Sequence, residues 1–423
     1  MRLKFQPIFI FLVMCCVGKA NAILHLELTH GMSKAIPVGV KKFEGASFPY
    51  ILSTTISGDF NHSGDFQSKK VKSKKLKKWR AAGLDYVVTG IVESLPSGKL
   101  RVTFTLFNTY HAKQSKREAM LSKTFTIEAT KQRALAHHIS DLMYKKLVGV
   151  RGIFSTRIAY VIVKGKIGQA IKHQLMISDY DGFNPKPVLT SKEPVMSPAW
   201  SPSGKKLAYV SFEHTLPVIY IVDVVTGKRH TVTHLSGING APAFAPNGDY
   251  LAFVSSETGF PKIYIKNLSS GEITKMTNGH SLDTEPAFSP DGKSLLFTSN
   301  RGGTPQVYQL NFKRGGIERL TYSGVFNARA SYSLDGKKIL MMHREAHSRH
   351  FQIALQDLDT DNLMVLTNSK MNRSPSFSPN GKMILYATET RKGELLAIVS
   401  TDGKVRFRMP DNEGRVQDPA WST

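Results

Sequence analysis

The sequence predicts a small α/β domain followed by an all-β, six-bladed β-propeller closed by its C-terminal strand. Three observations predict it. A charged and then apolar leader precedes about 130 residues of mixed helical and alternating pattern. A motif then recurs every 44 residues through the last two-thirds of the chain. One repeat unit lacks its first strand, and a copy of that strand stands at the other end of the sequence.

The leader comes first. Arg2 and Lys4 precede an apolar run from Pro7 to Val17, and Ala20-Asn21-Ala22 follows. These are the parts of a secretory signal, with cleavage expected after Ala22. The run is shorter than the roughly 20 residues that span a bilayer. No later stretch reaches transmembrane length. The expected division is therefore a signal over residues 1–22, an α/β domain over 23–150 and a propeller over 151–423. Both cysteines, Cys15 and Cys16, lie in the leader, so the exported chain has neither a disulfide framework nor a cysteine-based zinc site. The formal charge is +25, and losing Arg2, Lys4 and Lys19 leaves +22. Such a surface favours anionic partners. Export excludes a nucleic-acid role.

The α/β region comes next. Leu24-His25-Leu26-Glu27-Leu28 and Ile36–Val40 alternate like strands. Ser47 before Pro49 is a helix-cap pattern for a helix running toward Phe60. Asp85–Val92 and Leu100–Phe107 read as strands joined through Ser97-Gly98. Leu135, Ile139, Leu142, Met143 and Leu147 lie at helical spacing. A small sheet with two or three helices is expected. Gly152–Thr156 joins it to the repeats.

The repeats are explicit. Pro198-Ala199-Trp200-Ser201-Pro202-Ser203-Gly204 recurs as Pro242–Gly248, Pro286–Gly292, a departed copy Ala330–Gly336 and Pro375–Gly381, then stops short as Pro419-Ala420-Trp421-Ser422. The glycines stand at 204, 248, 292, 336 and 381, so the steps are 44, 44, 44 and 45. Each motif is a strand running into a tight turn. Proline fixes φ, Asp or Asn bonds its own backbone, and Gly accepts positive φ. A second strand follows (Leu207–Val210, Leu251–Val254), then a third (Ile219–Ile221, Ile263–Ile265), then a fourth ending in Leu-Thr or similar (Met276-Thr277, Leu320-Thr321, Leu366-Thr367). Four short strands in 44 residues make a propeller blade. Arg157–Val161 is a second strand with no first strand before it, and Pro419–Ser422 supplies the missing one. This closure makes six blades and removes the exposed edges. WD40 repeats have a similar period, but no Gly-His or Trp-Asp pairs recur at fixed offsets. A β-sandwich would not need a strict repeat.

Several segments then point to one family: Ser178-Asp179-Tyr180-Asp181-Gly182, Met196–Pro202, Leu207–Glu213, Thr284-Glu285-Pro286 and Arg157–Val161. With the leader and the α/β domain, the chain resembles the TolB family, the periplasmic components of Tol–Pal systems, over essentially its whole length. The resemblance implies a protein without catalytic activity or cofactor, a monomer that supports outer-membrane integrity and constriction at cell division. It implies binding of the lipoprotein Pal on loops leading into the first strands, at Met196, Asn239, Thr284, Glu285, Asn327 and Arg373. Ile238 stands where many family members have histidine. The resemblance also implies contact with TolA through Ile23, Leu24, His25, Leu26, Glu27 and Leu28, in a segment reaching about Lys34. Alternation in that segment fits strand addition to a partner's sheet edge. It fits a structural strand of the α/β domain equally.

The alternative class is an exported carbohydrate-binding or hydrolytic propeller using the channel mouth. A propeller peptidase needs a Gly-x-Ser-x-Gly elbow in an α/β-hydrolase domain, and the chain has no such pattern. His343, His347 and His350 have a metal-like spacing without a Glu-x-x-His context. Asp179 and Asp181 read as a calcium pair or as a polar turn. Gln67–Arg80 holds seven lysines and one arginine. It reads as attraction to anionic envelope components or as a solvated loop and helix face.

Overall fold

In the computed structural model, the described residues are 25–28, 35–45, 49–110, 119–165, 171–233, 235–369, 371–391, 393–410 and 414–422. Ala22, Ile23, Leu24 and Ser47 lie outside them. Among these residues, six antiparallel sheets form the blades, five of four strands and one of five, and a further sheet belongs to the N-terminal region. The innermost strands are Arg415–Trp421, Val195–Trp200, Asn239–Phe244, Asp283–Phe288, Phe326–Tyr332 and Asn372–Phe377, which lead blades 1 to 6. Blade 1 is the split one. Arg415–Trp421 pairs antiparallel with Arg157–Lys164, as the two half-repeats require. The Trp421 indole Nε1 donates to Thr156 Oγ1 at 2.8 Å, and the Ser422 amide donates to the Arg157 carbonyl at 2.8 Å.

The repeat chemistry accounts for the blade. The turn glycines take φ of 63° to 80° at 204, 248, 292, 336 and 381. The turn serines accept the amide five residues on, as Ser289 Oγ does from Ser294 at 3.0 Å. Blade 5 keeps this turn although Leu334 replaces the proline, because Ser333 and Gly336 supply the bond and the positive φ. Aromatics at fixed offsets are cross-strand pairs: Tyr209–Tyr220, Phe253–Tyr264 and Phe297–Tyr308 stack at 5.7, 5.8 and 6.0 Å. The Leu-Thr ends lie just beyond the fourth strands. There the Thr277, Thr321 and Thr367 hydroxyls accept from third-strand amides at 3.1, 2.9 and 2.9 Å.

The N-terminal sheet runs Phe66–Val71, Ile36–Lys41, Tyr86–Ser94, Leu100–Asn108, Ala119–Ile127. The first three strands are parallel and the rest antiparallel. Helices α1 (Pro49–Ser63) and α3 (Gln132–Val148) pack on each other, and the short α2 (Leu76–Ala81) lies elsewhere. Two edge strands, Phe66–Val71 and Ala119–Ile127, were not expected from the sequence. Phe66–Val71 is mostly polar, and Ala119–Ile127 has no fully buried residue, so their alternation is weak. One hydrophobic core runs from Val38, Leu52, Ile56 and Phe104 through Ile139 and Phe154 to Ile158, Phe407 and Trp421, so the two regions share it.

The first described segment corrects an expectation. His25–Leu28 is not a strand of the α/β sheet. It is a fifth strand on blade 6, antiparallel to Val405–Arg408, with Leu26 opposite Phe407 and Leu28 opposite Val405. The outermost strand of a blade has a free edge, and the alternating segment occupies it.

A charged cluster pins the two regions together. Arg133 on α3 pairs with both Asp179 and Asp181, which form a turn of blade 1. Thus Asp179 and Asp181 are the propeller's half of a domain contact. Tyr180 donates to Asp59 at 2.9 Å, His137 Nδ1 lies 2.9 Å from Asp59, and His62 Nδ1 lies 3.0 Å from the Tyr180 hydroxyl. Since the tyrosine proton goes to Asp59, His62 must be the donor to Tyr180. Burial disfavours charge on His137, yet Asp59 and then Asp181 more than offset this and raise its pKa. Burial dominates at His62 and lowers its pKa.

The signs give a test. The His137 contribution is full below the ordinary histidine value of about 6.5 and is lost as pH rises through its raised folded value. His62 is held neutral, so stability falls as pH drops below about 6.5, where the unfolded chain takes up a proton and the folded one does not. Thermal midpoints across pH are expected to peak near 6.5. His137→Asn should flatten the alkaline flank and His62→Asn the acid flank. Unchanged profiles in both variants would refute this reading.

Candidate functional site

The channel is built from one local geometry repeated six times. Every innermost strand carries a bulge, with register shifts at Gln417/Ala420, Met196/Ala199, Gly240/Ala243, Thr284/Ala287, Ala328/Ser331 and Arg373/Ser376. Within each bulge one non-glycine residue is left-handed: Asp418, Ser197, Ala241, Glu285, Arg329 and Ser374, with φ between 46° and 55°. Such backbone costs about 1–3 kcal/mol per residue and persists where the surroundings over-determine it. Here cross-blade bonds do so.

The bonds converge on Arg329. Its guanidinium pairs with Asp418 at 2.8 Å and Glu285 at 3.2 Å, and it donates to Ser374 Oγ. Its backbone amide donates to Glu285 Oε2 at 2.9 Å. Asp418 also accepts from the Ser197 amide and the Ser374 hydroxyl, both at 3.0 Å. Burial pushes the Asp418 carboxyl up, and Arg329 more than offsets it, holding the carboxyl below its usual range. The same two carboxylates raise Arg329 against its burial. Four blades are thereby linked across the bore by one guanidinium.

The residues expected to bind Pal occupy three adjacent positions of this geometry. Asn239 and Asn327 stand two before the left-handed residue, and their side chains are buried. Asn239 Nδ2 donates to the Leu235 carbonyl at 2.9 Å and Asn327 Nδ2 to the Ser323 carbonyl at 2.7 Å, so both hold the preceding turn. A side chain so buried presents no surface to a partner. Met196, Thr284 and Arg373 stand one before it. Thr284, Glu285, Arg329 and Arg373 line one cleft of about 480 Å³ with Phe326 and Met342. A second cleft of about 200 Å³ adjoins it, where Arg373 faces Glu389, Glu394 and Asp418. Arg373 pairs with Glu394 at 2.7 Å. Met196 lines neither cleft and packs against the core between blades 2 and 3. Reasoning from sequence missed Arg329, Ser374 and Asp418. The signal was present, since each directly precedes the first residue of a Pro-Ala-aromatic motif or its decayed copy.

This mouth faces away from the N-terminal region. The innermost strands run from the mouth toward the Ser-Pro-x-Gly turns, and the turn of blade 6 meets the N-terminal region: Asn380 Nδ2 donates to the Arg151 carbonyl at 3.0 Å, and Lys382 pairs with Asp65 at 3.1 Å.

The histidines do not assemble. His343 is fully buried between Asn327 at 2.8 Å and Glu345 at 3.0 Å, while His347 and His350 lie in the loop beyond. The closely spaced group Asp59, His137 and Asp181 has metal-ligand atoms within 4.8 Å of one another. Its carboxylates already face Arg133 and His137, so the group reads as a balanced ion cluster.

Residues 24–115 match the TolB amino-terminal domain family, and residues 144–423 match the TolB beta propeller domain family. A Tol-Pal system protein TolB of Coxiella burnetii is 53% identical over 99% of this chain and 98% of the relative. One from Legionella pneumophila is 54% identical over 99% of each. The crystal structure of TolB from Acinetobacter baumannii superposes with a TM-score of 0.85 at 40% identity, covering 95% of this chain and all of that one. Domain order, closure of the ring and similarity along nearly the full length agree: the chain belongs to the TolB family of Tol-Pal system proteins.

Proposed function

We propose that this protein is a non-catalytic docking protein of the periplasm, which binds Pal at the channel mouth and TolA through its first residues. In this role it supports outer-membrane integrity and constriction at division. The observation that carries the reading is the gathering of Thr284, Glu285 and Arg373 around one open cleft, on the face away from the N-terminal region. Met196 adds an apolar contact further round the rim. Asn239 and Asn327 act indirectly, by holding the turns that shape it.

The TolA arm rests on His25–Leu28. Docked on blade 6, the segment uses backbone groups that a partner's sheet edge would also use. Its neighbour Phe407 stacks on His62 at 4.5 Å, so a domain contact and the docked strand meet at one residue. A ligand that favours one arrangement shifts the docked fraction only by its differential affinity.

The test is calorimetric titration of residues 23–423 with the soluble domain of Pal and, separately, of TolA. Thr284→Ala with Glu285→Ala should weaken Pal binding on the order of 30-fold, the scale of a buried interface hot spot. Removing residues 23–28 should abolish TolA binding and spare Pal. Unaltered Pal affinity in the double variant would move the Pal surface off this mouth.

A further inference from the structure

We propose that Lys69–Lys78 forms a rigid cationic platform that attaches the N-terminal region to the surface of an anionic lipid bilayer. The platform is built on a strand and a helix. Phe66–Val71 is the edge strand of the sheet, pairing with Ile36–Lys41 alone, and α2 follows after a short link. Trp79 is 1% exposed and packs with Leu84, Val87 and Phe107, while its indole donates to the Ser73 carbonyl at 2.8 Å. This anchor fixes α2 and leaves Lys75, Lys77 and Lys78 exposed, following exposed Lys72 and Lys74 of the link, while Lys69 and Lys70, adjacent on the strand, are exposed on opposite faces of the sheet.

The charge is of one sign. Between Asp65 and Asp85 the sequence has eight basic residues and no acid. Lys74 pairs with Glu44 at 2.8 Å, and Glu44 is shared with Lys41. Lysines on an edge strand commonly serve to block strand pairing. That purpose needs charges on the strand alone, whereas this run continues through the link and along α2. A solvated surface also usually mixes both signs.

The chemistry favours a lipid surface over an acidic protein. Lysine is depleted in specific protein interfaces, which are anchored by aromatics and arginine. Here the aromatic is buried, and the run holds one arginine, whose guanidinium Nη2 donates to the Tyr110 carbonyl at 3.2 Å. Clusters of four to eight lysines at a surface suit the diffuse charge of anionic headgroups, each adding roughly fivefold to attachment.

The test is co-sedimentation of residues 23–423 with vesicles of phosphatidylglycerol in phosphatidylcholine, against phosphatidylcholine alone, at low and high salt. Binding is expected only to the anionic vesicles and to weaken with salt. Substituting Lys72, Lys75, Lys77 and Lys78 by Gln should weaken it on the order of several hundredfold. The variant should keep its thermal midpoint and its Pal titration, which separates this result from the proposed docking role. Equal binding to both vesicles, or no loss in the variant, overturns the proposal. A preference for soluble polyglutamate over anionic vesicles also overturns it and assigns the platform to an acidic protein.

Discussion

A chain stopped after Pro410 is expected to lose its cooperative unfolding transition. The missing segment carries Arg415–Trp421, the innermost strand of blade 1. Without it Arg157–Lys164 becomes an open edge, and buried Val416 and Trp421 leave the shared core. Arg329 loses Asp418, its 2.8 Å partner across the bore. A graded version is Trp421→Ala, which empties a large site and breaks the bond to Thr156. It should cost about 3–5 kcal/mol. The thermal midpoint should fall by roughly 5 °C. A truncated chain with the full-length midpoint and a single transition would show that closure contributes little.

Asp283→Asn is expected to destabilise the chain by about 3–5 kcal/mol, the cost of stranding one partner of a buried ion pair. Asp283 and Lys262 are 0% and 1% exposed and stand 2.9 Å apart at the junction of blades 3 and 4. Burial pushes the Asp283 carboxyl up, and bonds from Ser299, Lys262 and Arg301 more than offset it, leaving its pKa lowered. Its stabilisation is therefore present above the ordinary aspartate value of about 3.9 and is lost as pH falls through the folded one. The Asn variant leaves the buried Lys262 ammonium with neutral acceptors only, Ser281 and the amide oxygen. Urea unfolding at neutral pH measures the loss, and Lys262→Met combined with Asp283→Leu should recover much of it. A loss in the single variant under about 1 kcal/mol would show that the buried pair contributes little to stability.

The propeller was legible because its signal is a repeated one. Turn residues at a fixed offset from Pro-Ala-aromatic define the strand, the turn and the blade count at once, and the split unit defines the closure. Single-copy features were less legible. Phe66–Val71 is an edge strand, and its four polar residues outnumber its two apolar ones. His25–Leu28 alternates as a strand should, but alternation does not name the edge it joins, and that edge lies some 380 residues away in sequence. At the mouth, Thr284, Glu285 and Arg373 came from likeness to a family, and their convergence on one cleft is a matter of tertiary placement. Arg329 was hidden because its blade carries the decayed motif. Asn239 and Asn327 sit at the right strand position, but nothing in the sequence distinguishes a side chain that holds a turn from one that meets a partner.

The six left-handed positions of the bore share one backbone conformation. Because the conformation is fixed by the bulge, the side chain is chosen from a restricted alphabet. Branching at Cβ and the proline ring are incompatible with it. The residues present are Ser197, Ala241, Glu285, Arg329, Ser374 and Asp418, and none is branched at Cβ, aromatic or proline. Small polar and unbranched charged residues thus fit this backbone, while valine, isoleucine and threonine are strained by it. The bore can vary in charge and polarity from one relative to another, yet its lining at this level cannot become a ring of branched aliphatics.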